Sequence, residues 1–112
     1  MLVEDMVNTL EESKIQLEKA LKEQKKRAIA YVTAENLYRK ELAKQIEILR
    51  EQKMAATLII DTARGHLADI RLDRDLKKIE YDSAKDYIRN LQQQLDIYRT
   101  LISLEKAKMN LV

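Results

Sequence analysis

Apolar side chains recur at alternating spacings of four and three through almost the whole first half of the chain. The positions are Val3, Val7, Leu10, Lys14, Leu17, Leu21, Gln24, Ala28, Tyr31, Glu35, Tyr38, Leu42, Gln45 and Leu49, and ten of the fourteen are apolar. A seam that lasts nearly seven heptads is the signature of one long coiled-coil-like helix. It predicts a helix over residues 3–52, about 75 Å long at 1.5 Å per residue. Such a rod is not stable in water without a partner along its length. The polar interruptions Lys14, Gln24, Glu35 and Gln45 weaken the seam but fix its register and partner.

The partner is encoded further on. With no proline and a single glycine in 112 residues, there are few places where the backbone turns readily. The break is placed between Gln52 and His66. Thr57 is a candidate cap, since its hydroxyl accepts a bond from a free N–H of the first helical turn. Leu58, Ile59 and Ile60 then read as an apolar plug over the end of the core. Gly65 enters the left-handed region without steric cost and is expected to stop this helix. A short helix over 57–64 follows.

A second long helix is predicted over 67–109. Its seam runs through Leu67, Ile70, Arg74, Lys77, Tyr81, Ala84, Ile88, Leu91, Leu95, Tyr98, Ile102, Glu105 and Met109. Two long helices of matching length joined by a short connector are antiparallel neighbours. The fold class is therefore all-α, an antiparallel helical hairpin in a single domain spanning 1–112.

The second helix carries another stripe. Leu72, Leu76, Ile79, Ser83, Tyr87, Asn90, Gln94, Ile97, Leu101 and Leu104 also follow three–four spacing, and seven of the ten are apolar. At 100° per residue this stripe lies about 140° around the helix from the seam. An isolated hairpin covers one face of each helix, so a second apolar face requires another neighbour. A homodimer forming a four-helix bundle is the default expectation, with higher homo-oligomers following the same logic. Leu72, Leu76, Ile79, Tyr87, Ile97, Leu101 and Leu104 are the expected self-association residues.

Net charge is only +2, but it is unevenly spread. Residues 1–21 hold five acids and two bases, whereas residues 22–56 hold nine bases and five acids. The basic cluster Lys22, Lys25, Lys26 and Arg27, followed by Arg39, Lys40 and Lys44, is ordinarily a solvated helix face. Its sharper reading is a phosphate contact, which makes nucleic acid the alternative partner.

Enzyme chemistry is not expected. A phosphate loop, dinucleotide fingerprint or nucleophile elbow needs more than one glycine. The three serines are scattered and there is one histidine, so a Ser–His–Asp site is not expected. His66, Asp69 and Asp73 would share a face if the second long helix began at His66. Zinc sites normally show three or four ligands at familiar spacing, so these residues read as a capping and ion-pair cluster with Arg64, Arg71 and Arg74. No metal or cofactor is expected. Asp82 and Asp86, with Lys78 and Lys85 nearby, read as solvated charge. Tyr31, Tyr38, Tyr81 and Tyr98 occupy seam positions, and Tyr87 lies on the second stripe. Edge-buried rings explain them more simply than base stacking.

The longest uncharged apolar run, Met54–Ile60, falls far short of the roughly 20 residues that span a bilayer. The first helix shows no bulky apolar face apart from its seam, so surface binding to membranes is not expected either. The start of the sequence, with Glu4 and Asp5, does not read as a signal peptide. With no cysteine, disulfides are excluded, which fits a reducing cytoplasm.

The pattern Leu49-Arg50, Met54, Thr57-Leu58-Ile59, Asp61, Ala63-Arg64-Gly65, Leu72, Arg74-Asp75 and Tyr81 resembles a group of small helical proteins encoded by bacteriophages and prophages of Gram-positive bacteria. It covers roughly a third of the chain. The resemblance implies a phage or prophage origin, action in the host cytoplasm, and a role as an accessory to phage DNA replication or recombination. Together with the two apolar stripes, it points to a non-enzymatic interaction protein that docks a protein partner.

Overall fold

The computed structural model describes residues 2–111. Three helices follow one another: α1 (Val3–Glu51), α2 (Ala56–His66) and α3 (Ala68–Leu111). No strand occurs among the described residues, and α1 and α3 pack against each other as a hairpin. The ends of both long helices lie within two residues of those predicted from periodicity. Strong helix formers and the absence of proline leave nothing to interrupt either ladder.

The connector differs from expectation in mechanism. The chain leaves α1 through a Schellman turn. The N–H of Met54 donates to the carbonyl of Leu49 at 3.1 Å, and that of Lys53 donates to Arg50 at 2.9 Å. Lys53 carries the left-handed conformation, with φ of 61°, and Met54 packs back onto the cluster around Leu49. This is the 6→1 and 5→2 bonding of the motif with its apolar contact.

Gly65 is not the stop. It has no positive φ and lies inside α2. That helix ends at Leu67, whose φ of −107° and ψ of 19° fall in the bridge region open to any residue. The N–H of Leu67 bonds back to Arg64, and the carbonyl of Leu67 already accepts from Arg71. The boundary between α2 and α3 thus falls at the buried Leu67 and not at a glycine.

Thr57 is not the cap either. Ala55 occupies that position without a side-chain bond, because the Schellman turn consumes the residues up to Met54. Of the apolar plug only Ile59 is buried; Leu58 and Ile60 stay exposed.

The chain divides into two compact units, Met1–Lys25 with Ser83–Val112, and Lys26–Asp82. In the first, Ala20, Ile88 and Leu91 form a buried cluster with Leu17 against it. Met6, Ser13, Ala84, Leu95 and Ile102 are also buried. Here the α1 seam departs from the expected phase. Met6, Ser13 and Ala20 are covered, whereas their neighbours Val7, Lys14 and Leu21 are exposed. The reason is size. Large α3 side chains such as Ile88 and Leu91 fill the seam, and a small residue opposite lets the helices approach. A count of apolar positions prefers Leu21 to Ala20; packing prefers Ala20.

In the second unit, Leu49, Ile59 and Ala63 are buried together, with Leu42, Ile46 and Met54 packed around them. Ala63 is fully covered. α2 thus closes one end of the seam through Ile59 and Ala63, one helical turn apart. Tyr31 and Tyr81 face each other at 6.3 Å between ring centroids. The predicted second seam is buried or half-buried from Leu67 to Glu105, and only Met109 at its end is exposed.

Candidate interaction faces

The polar seam residues are arranged, not merely tolerated. Arg74 lies with its guanidinium carbon 4.4 Å from the centre of the Tyr38 ring. Its Nη2 donates to Asp75 Oδ1 at 2.8 Å, and its Nε stands 3.6 Å from Glu35 Oε2. The hydrogen bond to Asp75, aided by the charges of Asp75 and Glu35, raises the Arg74 pKa above its ordinary value, against the opposing effect of burial. A raised cation pKa stabilises the fold at every pH below the unfolded value and is lost only at higher pH. This clamp is therefore constant through the neutral range.

Two further contacts join the helices of this unit. Arg27 donates through Nη1 to the carbonyl of Glu80 at 3.2 Å, and His66 Nδ1 meets Gln45 Oε1 at 3.2 Å.

These contacts reassign two candidates. His66 ends α2 while Asp69 and Asp73 lie on α3, so the shared helical face proposed for them does not form. Lys77 binds Asp73 at 2.7 Å. Among the described residues no group of three metal-ligating side chains comes together. Arg27 is half-buried against α3, leaving Lys22, Lys25 and Lys26 as the exposed part of the basic cluster. Of the later bases, Arg39 pairs with Glu35 and Lys44 with Glu41.

The second stripe of α3 is bare. Leu72, Leu76, Ile79, Tyr87, Ile97 and Leu104 are each more than half exposed, and Leu101 is 39% exposed. Ile97 and Leu101 form a ridge between two hollows. One, of about 450 Å³, is lined on its far side by Met6, Thr9 and Ser13 of α1. The other, of about 260 Å³, includes Asp96 and Thr100. The Thr9 and Thr100 hydroxyls donate to the carbonyls one turn back, at Asp5 and Asp96. Their hydrogen-bonding capacity is thereby directed into their own helices.

In the other unit, Leu72 borders a more polar hollow of about 540 Å³ with Asp61, Arg64, Arg71 and Asp75. A ridge between hollows is the relief into which a second helix packs.

One set of apolar residues was missed by periodicity. Ile15, Ile29, Val32, Leu37 and Ile48 of α1 are exposed by 43% or more. Charged residues interrupt them along α1 and they form no continuous stripe. Val32 follows Ile29 by three residues, and Ile29 follows Lys25 and Lys26 by four and three. An apolar pair thus shares a helix face with the exposed lysines.

No helix among the described residues is long and apolar enough to cross a membrane. Comparisons with family models, curated proteins and solved structures find no match.

Proposed function

We propose that the chain is a non-enzymatic, self-associating helical scaffold, a phage or prophage accessory factor that holds a protein partner in the host cytoplasm. The observation that carries this reading is the second stripe of α3. Seven apolar side chains at helical spacing stand outside the hairpin core. Burying them is favourable by about 25 cal/mol per Å² of apolar surface, and the described residues leave 39–60% of each exposed. Scattered exposed apolar residues are ordinary; an aligned row of them marks an interaction site.

Light scattering on the purified chain tests the reading. A particle of at least twice the 13.2 kDa chain mass is expected at micromolar concentration. A monodisperse monomer there overturns it.

A second reading, a nucleic-acid-binding accessory of replication or recombination, is favoured by one observation: Lys22, Lys25 and Lys26 are all exposed on one stretch of α1. Binding carried by phosphate contacts weakens steeply with salt. A low-salt gel shift that is abolished by Lys25→Glu with Lys26→Glu supports it, and no shift with single- or double-stranded DNA or RNA removes it.

A further inference from the structure

We infer that the occupant of the α3 stripe is the same stripe of a second copy, running antiparallel about a two-fold axis that passes α3 just beyond Ile88. This rests on the self-association reading and adds partner face, direction and register to it.

The first ground is the order of residues. α3 is one uninterrupted helix from Ala68 to Leu111, so the position of each side chain around it follows from residue number. Read from either end, the stripe has three apolar residues, a more polar middle, and three apolar residues again. Leu72 mirrors Leu104, Leu76 mirrors Leu101, Ile79 mirrors Ile97, Ser83 mirrors Gln94, and Tyr87 mirrors Asn90. Every pair is centred on residue 88 or half a residue past it. In an isologous antiparallel interface residue i meets residue j while j meets i, and this mirror order is what sets apolar residues against apolar ones there. A parallel pairing places each residue beside its own copy and imposes no mirror order.

Charge is the second ground. From Ala68 to Tyr87, α3 holds six acids and five bases, net −1; from Ile88 to Leu111 it holds two acids and four bases, net +2. At 100° per residue the first-half acids Asp69, Asp75, Glu80 and Asp86 flank the stripe with no base of that half among them, so an antiparallel pair keeps these acids away from their own copies and opposes the two helix dipoles. A parallel pair sets like against like.

Area is the third. With exposures of 39–60%, the seven apolar side chains and the polar residues between them offer on the order of 700 Å² per protomer, close to the ~800 Å² per partner of a standard interface. In this arrangement the ridge of Ile97 and Leu101 meets Ile79 and Leu76 of the partner subunit. Tyr87 lies near the axis, beside Asn90 of the partner subunit.

The chain has no cysteine, so single thiols report the register without background. The full chain is prepared as Leu76→Cys and as Leu101→Cys, and each is treated with a short bismaleimide alone and as an equimolar mixture. The mixture is expected to cross-link to dimer, and either variant alone is not, because two copies of position 76 lie roughly 35–40 Å apart at 1.5 Å per residue.

Ser83→Cys with Gln94→Cys repeats the test at polar positions, where the change costs little packing; the mixture is expected to cross-link faster than either variant alone, whose two thiols lie about 16 Å apart along the axis. Cross-linking of Leu76→Cys to itself, without enrichment in the mixture, overturns the antiparallel register while leaving self-association intact. A dimer by light scattering with no cross-link in either mixture overturns the assignment of this face. A monomer by light scattering overturns both this inference and the reading beneath it.

Discussion

The Arg74 guanidinium lies over the face of the Tyr38 ring, 4.4 Å from its centre, with Glu35 on the same helix as the tyrosine 3.6 Å from the Arg74 Nε. Two helices are pinned in one register by a cation that touches both an aromatic face and a carboxylate. A purely apolar seam would tolerate slippage by a heptad; this pair does not. With the Arg74 side chain only 18% exposed, removing it forfeits packing of its stem as well as its charge. Arg74→Ala is expected to lower unfolding free energy by about 1–2 kcal/mol in urea titration. Arg74→Lys recovers only part of this, because an ammonium keeps a point charge near the ring and Glu35 but loses the planar fork that stacks on Tyr38 and bonds Asp75. The loss should be the same at pH 6 and pH 9, since the raised Arg74 pKa lies far above both.

Lys53 occupies the left-handed position of the Schellman turn with a Cβ that the position penalises. Lys53→Gly removes that cost and is expected to stabilise the protein by about 1 kcal/mol. Lys53→Val, β-branched at the same φ, moves the other way by at least as much. Thermal melts followed by circular dichroism at matched protein concentration check both.

Gly65 behaves as the opposite case. It lies within α2 without positive φ, and a Cβ built there meets nothing within 4 Å. Gly65→Ala is therefore expected to raise stability by about 0.5–1 kcal/mol. A destabilised variant would show that the glycine works as a turn after all.

Leu91 is 4% exposed in the cluster with Ala20 and Ile88, whereas Leu76 is 51% exposed. Leu91→Asp buries an unpaired carboxylate and is expected to abolish most helical signal at 25 °C. Leu76→Asp and Leu101→Asp are expected to keep much of their helix content while the particle mass falls to that of one chain. If mass by light scattering stays unaltered in both, the interface lies elsewhere.

Helical periodicity located α1, α3 and the α3 seam, where large residues at Ile88, Leu91 and Leu95 leave one phase. It misread α1 by one position in several turns, because Ala20 and Ser13 carry little apolar signal yet are what α3 packs against. It also assigned the turn to Gly65, the residue for which left-handed backbone is cheapest. Lys53 adopts that conformation instead, held by hydrogen bonds from its own amide and from that of Met54 and by the packing of Met54 against the Leu49 cluster.

By itself the sequence determined what depends on local spacing: two long helices, a break between Gln52 and His66, an all-α hairpin, and a second apolar stripe on α3. Only the tertiary structure decided which residue carries the strained turn, which side of α1 is covered, and that Arg74 reaches Tyr38 and Glu35. The division has a physical cause. Helix formation is a sum of near-neighbour preferences written along the chain, whereas packing depends on the size and shape of side chains far away in sequence, and a small residue is silent until its large neighbour arrives.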